Sequence, residues 1–201
     1  MAERWTQERR RQHTRDVLLD AAAEVFAARG FEGASLDEIA ETAGYTRGAI
    51  YKHFGDKAEM FMAVNERLNE RMLEAFRDIA DPAVPPSEVD LAAVAKTWRS
   101  TLSPDPRTQA LGAEFNLYLL RNPEARARVA GQRRHVAETI AGFIDEMAAR
   151  TGFRTRIPSL TIARIVLAST SGIEISAVLD GEDDLYEPFL SLLVTAWEPG
   201  P

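Results

Sequence analysis

Between Gly44 and Phe54 the chain reads GYTRGAIYKHF, which carries Arg47, Lys52 and His53 and no acid. Cationic side chains on a short helical segment suit phosphate oxygens and base edges. Other reactive groupings are missing. The three histidines, His13, His53 and His135, stand at no metal-ligand spacing, and there is no HExxH, GxSxG or P-loop. There is no cysteine, so no disulfide or thiolate metal site is expected, and an intracellular location is the default. The expected chemistry is binding, with no cofactor and no metal.

That basic stretch sits in an acidic chain of 201 residues with net charge -7. Overall acidity argues against wrapping a long nucleic acid, but it leaves room for a small basic footprint. Residues 1–15 add five arginines (Arg4, Arg9, Arg10, Arg11, Arg15) against two glutamates, a local balance of +3. Either they only solubilise the N-terminus or they reach flanking phosphates. The N-terminus has no apolar signal region. The longest apolar run, Leu160 to Leu179, holds Arg164, Glu174 and several Ser and Thr, so no membrane span is expected.

The elements that would position these residues are helical throughout. A hydrophobic content of 45% supports a real core, and no strand pattern stands out. Helix 1 is predicted from about Thr14 to Ala28, with Val17, Ala21, Val25 and Leu18, Ala22, Phe26 as adjacent apolar rows. Gly30 then ends it, followed by Phe31. Ser35 and Glu38 form a capping box for helix 2, which Gly44 ends. Thr46 can cap helix 3, and Gly55 ends it. Asp56 and Glu59 open helix 4, whose stripe runs Phe61, Val64, Leu68, Met72, Ala75, Phe76 and Ile79. The prolines of Asp81 to Ser87 mark a break. Helix 5 is predicted from Ser87 and Asp90, and SPDP closes it. Helix 6 carries Leu111, Phe115, Tyr118 and Leu119. Asn122 and Pro123 open helix 7, which Gly152 ends. Pro158 and Ser159 open helix 8, which Gly181 ends. Asp184 and Glu187 open helix 9, which ends near Trp197. The expectation is an all-α protein of nine helices.

Two short helices joined by a tight glycine turn have the layout of a helix-turn-helix. On helix 3, Ile50 and Phe54 form an i, i+4 pair facing helix 1, while Gly48, Ala49, Tyr51 and Lys52 fan across the opposite arc. Gly48 and Ala49 are small where close approach to DNA needs smallness. The stretch FEGASLDEIAETAGYTRGAIYKHFGDKAEMF, with helix 1 before it, resembles the DNA-binding domain of TetR-family transcriptional regulators. The landmarks are Gly30 and Phe31, the block IA…AGYTRGAIYKHF, and the DKAEMF opening of helix 4. The resemblance covers residues 12–72 and implies an effector-binding and dimerisation domain over 73–201. It implies that Thr46 to Phe54 is the recognition helix, with Arg47 and Gly48 at base edges or adjacent phosphates. Tyr51 and His53 match aromatic and histidine positions near the DNA backbone, Lys57 matches a phosphate-touching residue of helix 4, and Ser35 sits near the opposite strand. Two readings of His53 stand, a backbone contact or packing on helix 1. Tyr51 is likewise either a contact or half core. Arg47 is the residue type for base readout, and Lys52 suits a phosphate.

Helices 8 and 9 are apolar nearly all round, so a second copy is the simplest cover, giving a homodimer through both helices. The resemblance implies the same. It also implies a small-molecule effector pocket in helices 4 to 8. Candidate polar anchors there are Asn116, His135, Thr139, Thr170 and Glu174, with Trp98, Phe115, Tyr118 and Phe143 as walls, suiting a largely apolar effector. The expected function is a homodimeric repressor in the cytoplasm, released from a palindromic DNA operator by that effector. The alternatives are a helix-turn-helix-shaped protein-interaction module and an all-helical enzyme using scattered carboxylates.

Overall fold

The computed structural model describes residues 6–79, 81–102, 106–180 and 185–200. Among them are nine α-helices: α1 (Gln7–Gly33), α2 (Leu36–Ala43), α3 (Arg47–Phe54), α4 (Lys57–Ile79), α5 (Leu91–Leu102), α6 (Pro106–Arg121), α7 (Pro123–Thr151), α8 (Ser159–Asp180) and α9 (Tyr186–Val194). The all-α expectation holds. Arg4, Ser103 to Asp105, Gly181 and Asp184, which the sequence reading used, lie outside the described residues, as do the side chains of Ala75 and Ile79.

The chain divides into two compact units. The first is Met1–Leu68 with Ala110–Tyr118, and the second is Asn69–Gln109 with Leu119–Pro201. This differs from the expected contiguous division at residue 72, which gave all of helix 6 to the C-terminal part. The reason is an aromatic cluster. The Phe61 ring lies 5.4 Å from both Phe115 and Tyr118, and Phe31 lies 4.5 Å from Tyr118. The stretch Ala110–Tyr118 of α6 therefore belongs to the first unit.

In that unit α1 begins earlier than its apolar pattern. Thr6 Oγ1 accepts from Arg9 N at 3.2 Å and caps the helix at Gln7. Residues 7–13 are polar all round, so periodicity alone starts the helix at Thr14. The break at Gly30 is as expected, with φ 68°. Phe31 N there donates to Glu114 Oε2 at 3.1 Å, and a Cβ added to Gly30 would meet that carboxylate at 3.1 Å. The core is Leu18, Ala22, Phe26, Ile39, Ile50, Met60, Phe61 and Val64. Arg67 ties α4 to α1 through Asp20 at 2.8 Å.

The second unit packs α7 on α8 and α5 on α9. Trp98, Ile140, Ile144, Ile162, Val166, Tyr186 and Leu190 lie in its core. Asp90, not Ser87, caps α5, its Oδ1 accepting from Ala93 N at 3.0 Å, because Ser87 sits in a 3₁₀ turn (Pro86–Glu88). The sequence reading missed a two-stranded antiparallel ribbon, β1 (Phe153–Thr155) and β2 (Trp197–Pro199), with Arg154 opposite Glu198. Three-residue strands are too short to show a period of two. Glu198 pairs with Arg154 at 2.7 Å and with Arg156 at 3.2 Å across it. The ribbon also explains why α9 stops at Val194 rather than near Trp197. By length and composition α8 is apolar enough to cross a membrane. Its Ile162, Ala163, Val166 and Ile173 are buried in this core, while Ile165, Ile175, Val178 and Leu179 are exposed.

Two glycines test this account in opposite directions. Gly30→Ala forces a left-handed backbone on an L residue and crowds Glu114, and it should cost about 1–2 kcal/mol or more. A methyl at exposed Gly142, inside α7, meets nothing within 4 Å. Gly142→Ala should stabilise by up to about 1 kcal/mol. Urea unfolding of both variants measures the difference.

Candidate functional site

The interface is built on α2, the turn after it and α3. Ser35 Oγ accepts from Glu38 N at 3.1 Å and fixes the start of α2. The Glu38 carboxylate pairs with Arg29 at 3.2 Å. Gly44 adopts φ 68°, ψ 26° at the helix end. Its N–H donates to the Glu41 carbonyl at 3.0 Å and the Tyr45 N–H to the Ala40 carbonyl at 2.9 Å. This 6→1 and 5→2 pair is a Schellman motif, which needs a left-handed residue at Gly44. The chain thus reverses in three residues and starts α3 at Arg47.

On α3, Ile50 and Phe54 are buried, as their spacing requires. Thr46, Arg47, Gly48, Tyr51 and Lys52 are exposed, and His53 is half-buried. Thr46 occupies the N-cap position but makes no side-chain capping bond, so its hydroxyl does not serve the helix as expected. A Cβ on Gly48 would meet only Thr46 Oγ1, at an ordinary 3.7 Å. The fold therefore has no need of glycine there, and the missing side chain leaves room for something outside the chain.

Arg47 is held in place. Its Nη1 donates to Asp37 Oδ2 at 3.0 Å, and its Nη2 and Nε donate to the Tyr51 hydroxyl at 2.8 and 3.2 Å. The Tyr51 hydrogen bond, then Asp37, raise its pKa above the ordinary value. Lys57 is engaged differently from the phosphate contact expected of it. Its Nζ donates to the carbonyls of Phe31 at 2.8 Å and Ala34 at 3.0 Å, and lies over the Phe31 ring at 4.6 Å. It pins the turn between α1 and α2. Arg15, grouped by sequence with the N-terminal arginines, covers the far end of α3. Its Nη1 donates to the His53 carbonyl at 3.4 Å, and its guanidinium lies 4.6 Å from the Phe54 ring centre. Burial first, then Arg11, Lys52 and Arg15, hold His53 below its ordinary 6.5.

The second unit holds a cavity of about 130 Å³. Its wall comprises Phe76 of α4, Pro86 and Val89, the α5 residues Leu91, Val94 and Trp98, residues of α7, α8 and α9, and Trp197 of β2. Of the expected pocket residues, Trp98 and Phe143 line it. The other seven do not. Phe115 and Tyr118 pack on Phe61 in the first unit. Asn116 and His135 are exposed. Thr139 and Thr170 bond back to carbonyls of their own helices, at His135 and Val166. Glu174 accepts from the Tyr186 hydroxyl at 3.5 Å. Polar residues inside apolar periodicity were thus satisfied locally, and the wall is made of residues indistinguishable in sequence from core.

Residues 18–64 match the family model described as bacterial regulatory proteins, tetR family. The transcriptional repressor AcnR of Corynebacterium efficiens is 30% identical over 148 residues, covering 73% of this chain and 72% of AcnR. The chain belongs to the TetR family.

Two other sequence likenesses to this TetR-family chain are more local. The transcriptional regulator SrpR of Pseudomonas putida is 53% identical over 53 residues, 26% of this chain and 25% of SrpR. The transcriptional activator FasR of Mycolicibacterium smegmatis is 40% identical over 67 residues, 33% of this chain and 31% of FasR. Among solved structures, Salmonella enterica GusR aligns with TM-score 0.71 at 23% identity, over 91% of this chain and 94% of GusR. The multidrug binding protein EbrR complexed with proflavin aligns with TM-score 0.55 at 26% identity, over 90% of this chain and 98% of EbrR.

Two residues of the TetR-family interface escaped sequence reasoning. Asp37 lies ten residues from Arg47, a distance only the turn closes, and carries no local signal. Arg15 did carry one, since it stands three and four residues before the buried Leu18 and Leu19 and so on the apolar side of α1.

His53 gives a pH dependence. Its folded-state pKa lies below the unfolded 6.5, so the unfolded chain takes up the proton first as pH falls. Stability should therefore decline as pH drops through 6.5 towards the folded value, and His53→Gln should remove that part of the slope. Thermal melts from pH 7.5 to 5.5 measure it.

Proposed function

We propose that this protein is a sequence-specific DNA-binding transcriptional regulator, acting in the cytoplasm as a homodimeric repressor that a small-molecule effector releases from a palindromic operator. The observation that carries the reading is the exposed arc of α3. It offers Arg47, Tyr51 and Lys52 around a glycine that the fold itself does not require. Such a surface admits close approach of a duplex, and apart from Tyr51 it lacks the large apolar groups a protein partner would select. Arg47 serves base readout by exchanging Asp37 for a base edge. Lys52, Thr46 and His53 face phosphates. Lys57 contributes through the turn it pins, and Ser35 through the start of α2. Repression follows the likeness to AcnR.

Dimerisation is proposed through α8 and α9. Ile165, Ile175, Val178 and Leu179 on α8, and Leu192 on α9, are large apolar side chains left exposed, Leu179 at 77% and Leu192 at 68%. Surface of this kind on two adjacent helices suits an isologous contact. Two recognition helices then read half-sites about 34–36 Å apart, or a multiple of one helical turn.

Selection of bound sequences from random DNA should enrich a palindrome, and no enrichment at moderate salt would overturn the proposal. On that palindrome, Arg47→Ala should cost about 1–3 kcal/mol and relax specificity at one base pair. Lys52→Ala should weaken all sequences alike and make the salt slope shallower by roughly one unit. The double variant Ile175→Glu and Leu192→Glu should sediment as a monomer and lose its preference for the palindrome over a single half-site. A dimer that persists places the interface elsewhere.

A further inference from the structure

We infer that the cavity of the second unit takes a neutral molecule whose buried part is a single apolar ring bearing one hydrogen-bond acceptor. This rests on the reading of the cavity as the effector site.

Size sets the first limit. The cavity measures about 130 Å³, and an apolar cavity of about 150 Å³ stays dry and accepts benzene. One ring fills the enclosed part, and anything larger extends through the open mouth. Charge sets the second. Among the described residues, the wall contains no Asp, Glu, Lys, Arg or His. An ion desolvated there without a partner would lose far more than apolar contact returns. Aromatic faces can hold a cation, but Phe76 stands edge to face with Trp98 at 6.0 Å and with Phe143 at 5.3 Å. These rings pack on one another instead of framing an open cage. The acid closest along this chain of contacts, Glu174, is two side chains removed. It accepts from Tyr186, which stacks on Trp98 at 6.2 Å.

The acceptor follows from Trp98. This wall residue is 5% exposed, and its Nε1–H is buried with no hydrogen-bond partner. Buried donors are almost always paired, and an orphan calls for a reason. Nε1 is occluded as the ring stands, so a neutral acceptor on the ligand supplies that partner once the ring turns towards it.

Four probes on one benzene ring test the class: acetophenone, ethylbenzene, benzyltrimethylammonium and benzoate. Calorimetric titration of the whole protein should show both neutral probes binding and both ions failing to bind. Acetophenone should bind about 2- to 10-fold tighter than ethylbenzene, the worth of one net hydrogen bond. Trp98→Phe should remove that preference while ethylbenzene still binds. Val94→Phe, filling the cavity from α5, should abolish binding of both neutral probes with a cooperative melt retained. An ion binding as well as ethylbenzene, or acetophenone showing no advantage, overturns the inference. Operator release is measured separately with the same probes. Neutral probes that bind but leave the protein on DNA uphold the ligand class and refute the effector reading. A charged probe that binds at the cavity and releases DNA does the reverse.

Discussion

A helix of eight residues does not persist alone in water, because its nucleation cost outweighs the few bonds it closes. Whatever α3 presents to the outside therefore depends on the contacts that hold it from within and at its ends. Ile50 and Phe54 supply the first kind by burial. The Schellman turn at Gly44 fixes the approach, and Arg15 meets the His53 carbonyl while lying over Phe54. A cation at the C-terminal end also complements the helix dipole. The neighbouring turn is braced from two other helices, by Lys57 on its carbonyls and by Glu114 on the Phe31 N–H. Much of the positive charge near the interface is thus structural, and it sets the angle of a small reading surface.

That arrangement resolves the conflict between an acidic chain and a polyanionic target. Arg47 does not wait as a free charge. Asp37 and Tyr51 hold its guanidinium near the surface, which on the proposed reading leaves less side-chain entropy to be lost when it engages a base. The carboxylate also weakens indiscriminate attraction to phosphate, since the pair is locally neutral. On the same reading, specific contact must outbid Asp37, which favours the ligand with matched, bidentate acceptors over a lone phosphate oxygen.

Much of the architecture was legible because it is written in local signals. Gly30, Gly44, Gly55 and Gly152 all carry positive φ at helix ends, and Ser35, Asp56 and Asp90 accept capping bonds where short-range chemistry demands them. The errors fall where the deciding partner is distant in sequence. Residues 7–13 have no apolar rhythm, yet they continue α1 from a single threonine cap. Phe115 and Tyr118 resemble pocket walls until Phe31 and Phe61 claim them. The polar anchors expected from sequence lie outside this cavity, whose described wall is assembled from side chains that look like any other core.

The ribbon at the end of the chain bears on how the molecule tolerates damage. Trp197 sits in the cavity wall and belongs to β2, which Glu198 fastens to Arg154 and Arg156. A chain cut just before Trp197 would keep every helix and the whole of the α3 surface. It would nevertheless lose a wall of the cavity together with both ion pairs. Under the function proposed above, proteolytic trimming or a late nonsense mutation would then separate reading from sensing, leaving a molecule still shaped to hold its target but deaf to its signal.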